Sequence, residues 1–137
     1  VISLPSYTVI DDCYNANPVS MRAALDLLST AFSRKAAILG DMFELGEKER
    51  EMHGGIGAYA VDKAIDVIVC VGELSRSMYE EACRRRGNEA GIYWFGTRDE
   101  MLGKLPGILR QGDSVLVKAS HGMRFERVVE LLQNGFR

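Results

Sequence analysis

Five short, almost uninterrupted apolar runs punctuate this chain: Thr8-Val9-Ile10, Ala36-Ala37-Ile38-Leu39, Val67 to Val71, Ile92 to Phe95, and Ser114 to Val117. A strand with one face in water alternates apolar and polar residues, because successive side chains point to opposite sides. Runs without that alternation suit strands covered on both faces, as in a parallel sheet. The segments between them repeat at helical period instead. Met21, Ala24, Leu25, Leu28 and Phe32 share one face, as do Met52, Ile56, Tyr59 and Ala60. Leu74, Met78 and Ala82 form a third stripe, and Phe125, Val128, Val129 and Leu132 a last one. Residues Asp99 to Leu109 make a weaker helix that Pro106 ends or kinks. Gly54, Gly55 and Gly57 each weaken the second helix by up to ~1 kcal/mol. Strand and helix alternate throughout, which predicts an α/β three-layer sandwich. Its sheet is mostly parallel and Rossmann-like, with helices on both faces joined by right-handed crossovers.

The 137 residues suit one domain, 1–137, without internal repeat or linker. With 47% hydrophobic residues the chain has enough apolar surface for a core that needs no staples. A formal net charge of −2 gives no electrostatic reason for a nucleic-acid partner or an anionic membrane surface. No apolar run approaches the ~20 residues a membrane-spanning helix needs, so no membrane insertion is expected. Cys13, Cys70 and Cys83 are an odd set without CxxC spacing, which fits reduced thiols in the cytoplasm. The chain opens on Val1 without a signal stretch, and the expectation is a domain of a longer protein.

In open α/β sheets, ligands bind outside the carboxyl ends of the strands. Three polar stretches follow apolar runs: Asp11 to Pro18, Gly40 to Gly46, and Lys118 to Arg124. In the first, Asn17-Pro18 reads as a helix start, with Asn17 as N-cap and Pro18 at the first helical position. Capping leaves the Asp11-Asp12 pair and Asn15 unexplained. Adjacent carboxylates in an extended segment point to opposite sides, so one can meet ribose hydroxyls while the other stays in the scaffold. The second stretch, with Asp41 and Glu44, reads either as a solvated turn with Met42 and Phe43 in the core or as a carboxylate trap for an amine. The third, with Lys118, Ser120, His121 and Arg124, reads either as a charged helix entry or as a site for a carboxylate or phosphate.

Other motifs lose their meaning in context. Gly55-Ile56-Gly57-Ala58-Tyr59-Ala60 matches a dinucleotide fingerprint but follows a charged stretch rather than a strand. Arg84-Arg85-Arg86 reads as a solvated helix face paired at i, i+4 with Glu80 and Glu81. His53 and His121 are the only histidines, and no Cys/His grouping has metal-ligand spacing. There is no GxSxG nucleophile motif, and no GxxxxGK[ST] loop to cradle a triphosphate.

The same three loops carry a resemblance. Ile10 to Met21, Leu39 to Gly46 and Val117 to Arg124 are similar, in order and over nearly the whole chain, to the carboxy-terminal domain of the Mur ligase family. The most specific element, Tyr14-Asn15-Ala16-Asn17-Pro18, resembles the members that add D-alanyl-D-alanine. The resemblance implies the third domain of a three-domain enzyme of peptidoglycan synthesis. ATP and Mg²⁺ are then held mainly by a central domain, and the partners are the other domains of the same chain. The implied substrates are D-Ala-D-Ala and UDP-MurNAc-tripeptide, joined through an acyl phosphate on the tripeptide carboxylate. By position, Asp12 resembles the carboxylate that holds the ATP ribose. Tyr14, Asn15 and Asn17 resemble residues on the nucleotide side of the cleft. Asp41, Met42, Lys118, Ser120 and His121 resemble the dipeptide pocket. No catalytic group or metal ligand is expected in this domain. Two positions depart from the family pattern: Ala119, where glycine is frequent, and His121, where arginine is common. A histidine there gives up bidentate pairing with a carboxylate. Two alternatives stay open: the equivalent domain of another Mur or folylpolyglutamate synthase-like ligase, and a non-catalytic α/β binding module.

Overall fold

Val67, Val69 and Val71 pack into one apolar cluster while Ile68 and Cys70 pack into another, so a single strand feeds two cores. That is the signature of a sheet sandwiched between helices. The computed structural model describes residues 2–3, 7–13 and 15–135. The strands are β1 (Ile2–Ser3), β2 (Thr8–Asp12), β3 (Lys35–Gly40), β4 (Val67–Val71), β5 (Ile92–Phe95) and β6 (Ser114–Lys118). The helices are α1 (Pro18–Ser29), α2 (Glu49–Asp62), α3 (Arg76–Arg86), α4 (Arg98–Ile108) and α5 (Glu126–Gln133), with single 3₁₀ turns at Gly46–Lys48 and His121–Met123. The sheet order is β1-β2-β6-β3-β4-β5. All neighbours run parallel except β1, a short antiparallel addition that periodicity does not mark.

One core holds Met21, Leu25 and Leu28 of α1, Ile56 of α2 and Met78 of α3. The other holds Met101 and Leu105 of α4 with Phe125, Val128 and Leu132 of α5. The chain therefore lays α1 to α3 on one face as it moves from β2 out to β5. It returns along the other face through α4, inserting β6 between β2 and β3. The loops that leave β3 and β6 consequently diverge to opposite faces, and a crevice opens at their carboxyl ends, as expected at a topological switch.

Asn17 caps α1 as the sequence suggests. Its side-chain oxygen accepts from the Ser20 N–H at 2.9 Å, and the Ser20 hydroxyl accepts from the Asn17 N–H at 3.1 Å. Four sequence expectations need correction. Phe32 does not continue the α1 stripe: the helix ends at Ser29 and Phe32 is fully exposed, at 106%. The chain turns there because Ser33 and Arg34 are tied to Ser114 and Asp113 at the start of β6. Of the two effects expected of Pro106, ending or kinking the helix, the first does not occur, since α4 runs on to Ile108. Leu74 lies before α3 rather than on it. The arginine triplet is not paired at i, i+4. Arg84 meets Glu81, Arg85 makes two bonds of 2.8 Å to Asp62, and Arg86 donates to the carbonyls of Ile65 and Ala90.

The glycines of α2 also have a role that propensity misses. A Cβ on Gly57 would lie 2.1 Å from the Met78 carbonyl oxygen, and one on Gly54 would lie 2.8 Å from the Glu81 side chain. They let α2 and α3 pack backbone to backbone, which places the turn after β4 beside the loop after β3.

Candidate functional site

The loop that leaves β3 is pinned residue by residue from three directions. Asp41 Oδ1 accepts from the Ser75 N–H at 2.8 Å and the Ser75 hydroxyl at 2.7 Å, at the entrance of α3. Its other oxygen lies 3.4 Å from the Leu74 nitrogen. This buried carboxylate presses on Gly72, where an added Cβ would sit 2.4 Å from it and φ is +110°. Only glycine combines that backbone with that approach. The Gly72 turn is held from behind by the Trp94 indole N–H, which donates to its carbonyl at 2.8 Å. Next, the Met42 N–H donates to His53 Nε2 at 2.9 Å, while His53 Nδ1 lies 2.6 Å from the Glu49 carbonyl. Since Nε2 accepts, the ring proton is assigned to Nδ1, which donates to that carbonyl. Finally, the Phe43 N–H donates to the Ser120 hydroxyl at 3.0 Å, and the Ser120 N–H donates to the Asp41 carbonyl at 3.1 Å.

On the other side of β6, Lys118 is almost wholly buried, at 1% exposure. Its Nζ donates to Asp12 Oδ2 at 2.7 Å and to the Asn15 carbonyl at 2.8 Å. Asp12 remains half-exposed, so one edge of its carboxylate is held and the other faces outward. Asn15 folds its side-chain oxygen back to accept from the Ala16 N–H at 2.9 Å. Tyr14 lies outside the described residues. Cys13 is buried with its thiol aimed at the Val117 carbonyl, and burial together with Asp11 pushes the thiol far up from its ordinary range. It is a core residue.

The crevice itself has a volume of about 420 Å³ and is lined by Asp41, Gly72, Glu73, Gly96, Thr97, Arg98, Asp99, Gly122, Met123 and Arg124. That is within the range of small-ligand sites, about 300–1,000 Å³. The expected dipeptide residues therefore divide. Asp41 lies in the crevice wall, and Ser120 sits behind it as a brace. Met42 does not reach it, because its side chain is completely buried in the core. Lys118 belongs to the Asp12 side rather than to Asp41. His121 is exposed, with Nδ1 3.5 Å from Glu126, and is not among the lining residues. Sequence reasoning passed over Gly72, Glu73, Gly96, Thr97 and Arg98. The same strand-end rule would have found them in the loops after Val71 and Phe95. Among the described residues no three His, Cys, Asp or Glu side chains converge as a metal ion requires. No described helix is long and apolar enough to cross a membrane.

A parallel sheet between two helical layers, with a charged crevice at its switch point, places the chain in the Rossmann-like α/β class. More specifically, the family described as "Mur ligase, glutamate ligase domain" matches residues 1–121, and the chain belongs to it. The UDP-N-acetylmuramoyl-tripeptide–D-alanyl-D-alanine ligase of Bacillus subtilis is 33% identical over 125 residues, 90% of this chain and 27% of that protein. The ligase of the same name from Mycobacterium tuberculosis strain H37Rv is 38% identical over 144 residues, 91% of this chain and 28% of that protein. A crystal structure of MurF from Acinetobacter baumannii superposes with a TM-score of 0.86 at 30% identity, covering 98% of this chain and 29% of that one. The Thermotoga maritima MurF ligase, solved in complex with ADP, shares the fold at a TM-score of 0.79 and 24% identity, over 98% of this chain and 30% of that one. The chain thus spans less than a third of the length of these relatives.

Proposed function

We propose that residues 1–137 form the third domain of an ATP-dependent amide ligase that joins D-alanyl-D-alanine to UDP-MurNAc-tripeptide in the cytoplasm. The observation that carries this reading is the charged crevice at the carboxyl ends of β3 to β6, in a chain similar to ligases of that name over nine-tenths of its length. A dipeptide is a zwitterion, and the crevice offers carboxylates and guanidinium groups together. On the far side of β6, the outward edge of Asp12 suits a pair of ribose hydroxyls, with Lys118 holding the carboxylate in place from beneath. Tyr14, Asn15 and Asn17 would frame the same nucleotide side.

In this reading the domain contributes position rather than a nucleophile. It would bring the dipeptide amine to the activated tripeptide carboxylate and exclude water as the domains close. Mg²⁺, which neutralises phosphate charge when bound, is assigned in this reading to a central domain that also holds the ATP phosphates. Lys118 and Met42 act as supports, and direct dipeptide contact falls to the crevice residues.

A chimera tests this. With residues 1–137 in place of the matching part of the Bacillus subtilis ligase, ATP-dependent joining of D-Ala-D-Ala is expected, and residues 1–137 alone should give none. Turnover with glutamate or diaminopimelate but not the dipeptide would favour another ligase of the group. A folded chimera inert with all of these amines would favour a binding module.

A further inference from the structure

Of the cations considered for a ligand carboxylate, two are unsuited by their surroundings. Lys118 is buried and engaged by Asp12 and Asn15, and His121 stands outside the crevice beside Glu126. The crevice holds two guanidinium groups, those of Arg98 and Arg124. Arg98 is already engaged: Nε and Nη2 donate to Asp99 Oδ1 at 3.2 and 3.1 Å, and Nη1 donates to the Arg124 carbonyl at 3.1 Å. The Arg124 guanidinium has no hydrogen-bond or ion-pair partner among the described residues. Its backbone is left-handed, φ 54°, a conformation that disfavours side-chain-bearing residues. The Arg98 bond to its carbonyl ties that turn to the start of α4.

The acidic groups sort in the same way. Asp41 already accepts from Ser75 and approaches Leu74, and Asp99 is held by Arg98. The Glu73 carboxylate has no hydrogen-bond or ion-pair partner among the described residues. It leaves the end of β4, whereas Arg124 leaves the end of β6, and these two strands flank β3. Strands two places apart are separated by about 10 Å. Glu73 and Arg124 both line the one crevice, and an extended dipeptide spans about 7 Å, so its two charged ends suit the two side chains that face it.

Resting on the dipeptide reading above, we propose that Arg124 binds the carboxylate and Glu73 the ammonium group of the incoming dipeptide, across the end of β3. Arg124 then does the work that bidentate pairing requires and that His121 cannot do. Arg98 is a positioning residue that sets the Arg124 turn.

The test is a titration of the chain with three probes: D-Ala-D-Ala, its C-terminal amide and its N-acetyl form. Wild type should prefer the free dipeptide over either blocked form by about ten- to a hundredfold, the range of a charge-assisted hydrogen bond. Arg124→Gln should bind the free dipeptide and the amide equally while still rejecting the N-acetyl form. Glu73→Gln should show the reverse pattern. Arg124→Lys should recover part of the preference for the carboxylate, and His121→Ala should bind as wild type does. Wild-type discrimination retained in Arg124→Gln or Glu73→Gln would overturn the assignment while leaving the dipeptide reading intact. If wild type binds none of the probes, both fall.

Discussion

Lys118 shows how one side chain can have opposite meanings in sequence and in space. In the sequence it is a cation at a strand end, open to a ligand. In the structure it lies beneath Asp12, 106 residues away along the chain, and its charge is used internally. The two partners differ in exposure, 2% for the lysine side chain against 43% for the aspartate, and this predicts unequal mutational costs. Asp12→Ala leaves a buried ammonium with the Asn15 carbonyl as its remaining partner and should cost about 3 kcal/mol. Lys118→Met leaves a carboxylate that water can reach and should cost about 1 kcal/mol. Denaturant midpoints of the two variants give the comparison; equal losses would mean that water reaches the lysine after Asp12 is removed. Asn17 is the contrary case, since both halves of its capping bond lie within three residues and are readable from sequence alone.

Among the elements, α2 is where propensity and packing disagree most. Its periodicity marks Met52 and Tyr59 as inward, yet its fully buried positions are His53, Gly54, Ile56, Gly57 and Ala60. The face is turned because two glycines, not large side chains, form the contact with α3. Gly57→Ala should therefore destabilise by about 1–3 kcal/mol, because its methyl group meets the Met78 carbonyl and the helices must separate. Gly55→Ala meets only the end of the Arg22 side chain, at 3.4 Å, and should be neutral or stabilise by up to ~1 kcal/mol. Thermal unfolding of the pair distinguishes the accounts; similar changes in both would make propensity, not packing, the governing effect. The position of α2 matters for the crevice, since His53 on it holds Met42 and thereby the loop that carries Asp41.

For the molecule as a whole, stability should be greatest where strands are paired on both sides and covered on both faces. β4 and β6 are buried throughout, and β3 is buried beyond its first residue, whereas edge strand β5 is buried only at Ile92. Amide exchange should be slowest in β3, β4 and β6 and faster in β5 by orders of magnitude; uniform protection across the sheet would contradict this ordering. The three-layer architecture and the five parallel strands were legible because burial on both faces leaves a local imprint, unbroken apolar runs alternating with 3.6-residue periodicity. The short strand β1 left none. Two of the four loops that line the crevice, those after β3 and β6, were legible because their polar residues follow unbroken apolar runs; the loops after β4 and β5 carry fewer such residues. The allocation of charges was not legible, since it depends on groups distant in sequence: Asp41 with Ser75, Ser120 with Phe43, Arg98 with the Arg124 carbonyl. The layers, the parallel sheet and its polar end follow from local periodicity and from the alternation of strand and helix along the chain. Which charges are used up inside the fold and which still face the crevice emerges only on folding, because a charge is neutralised by whatever lies within about 3 Å of it, and chain distance says nothing of that.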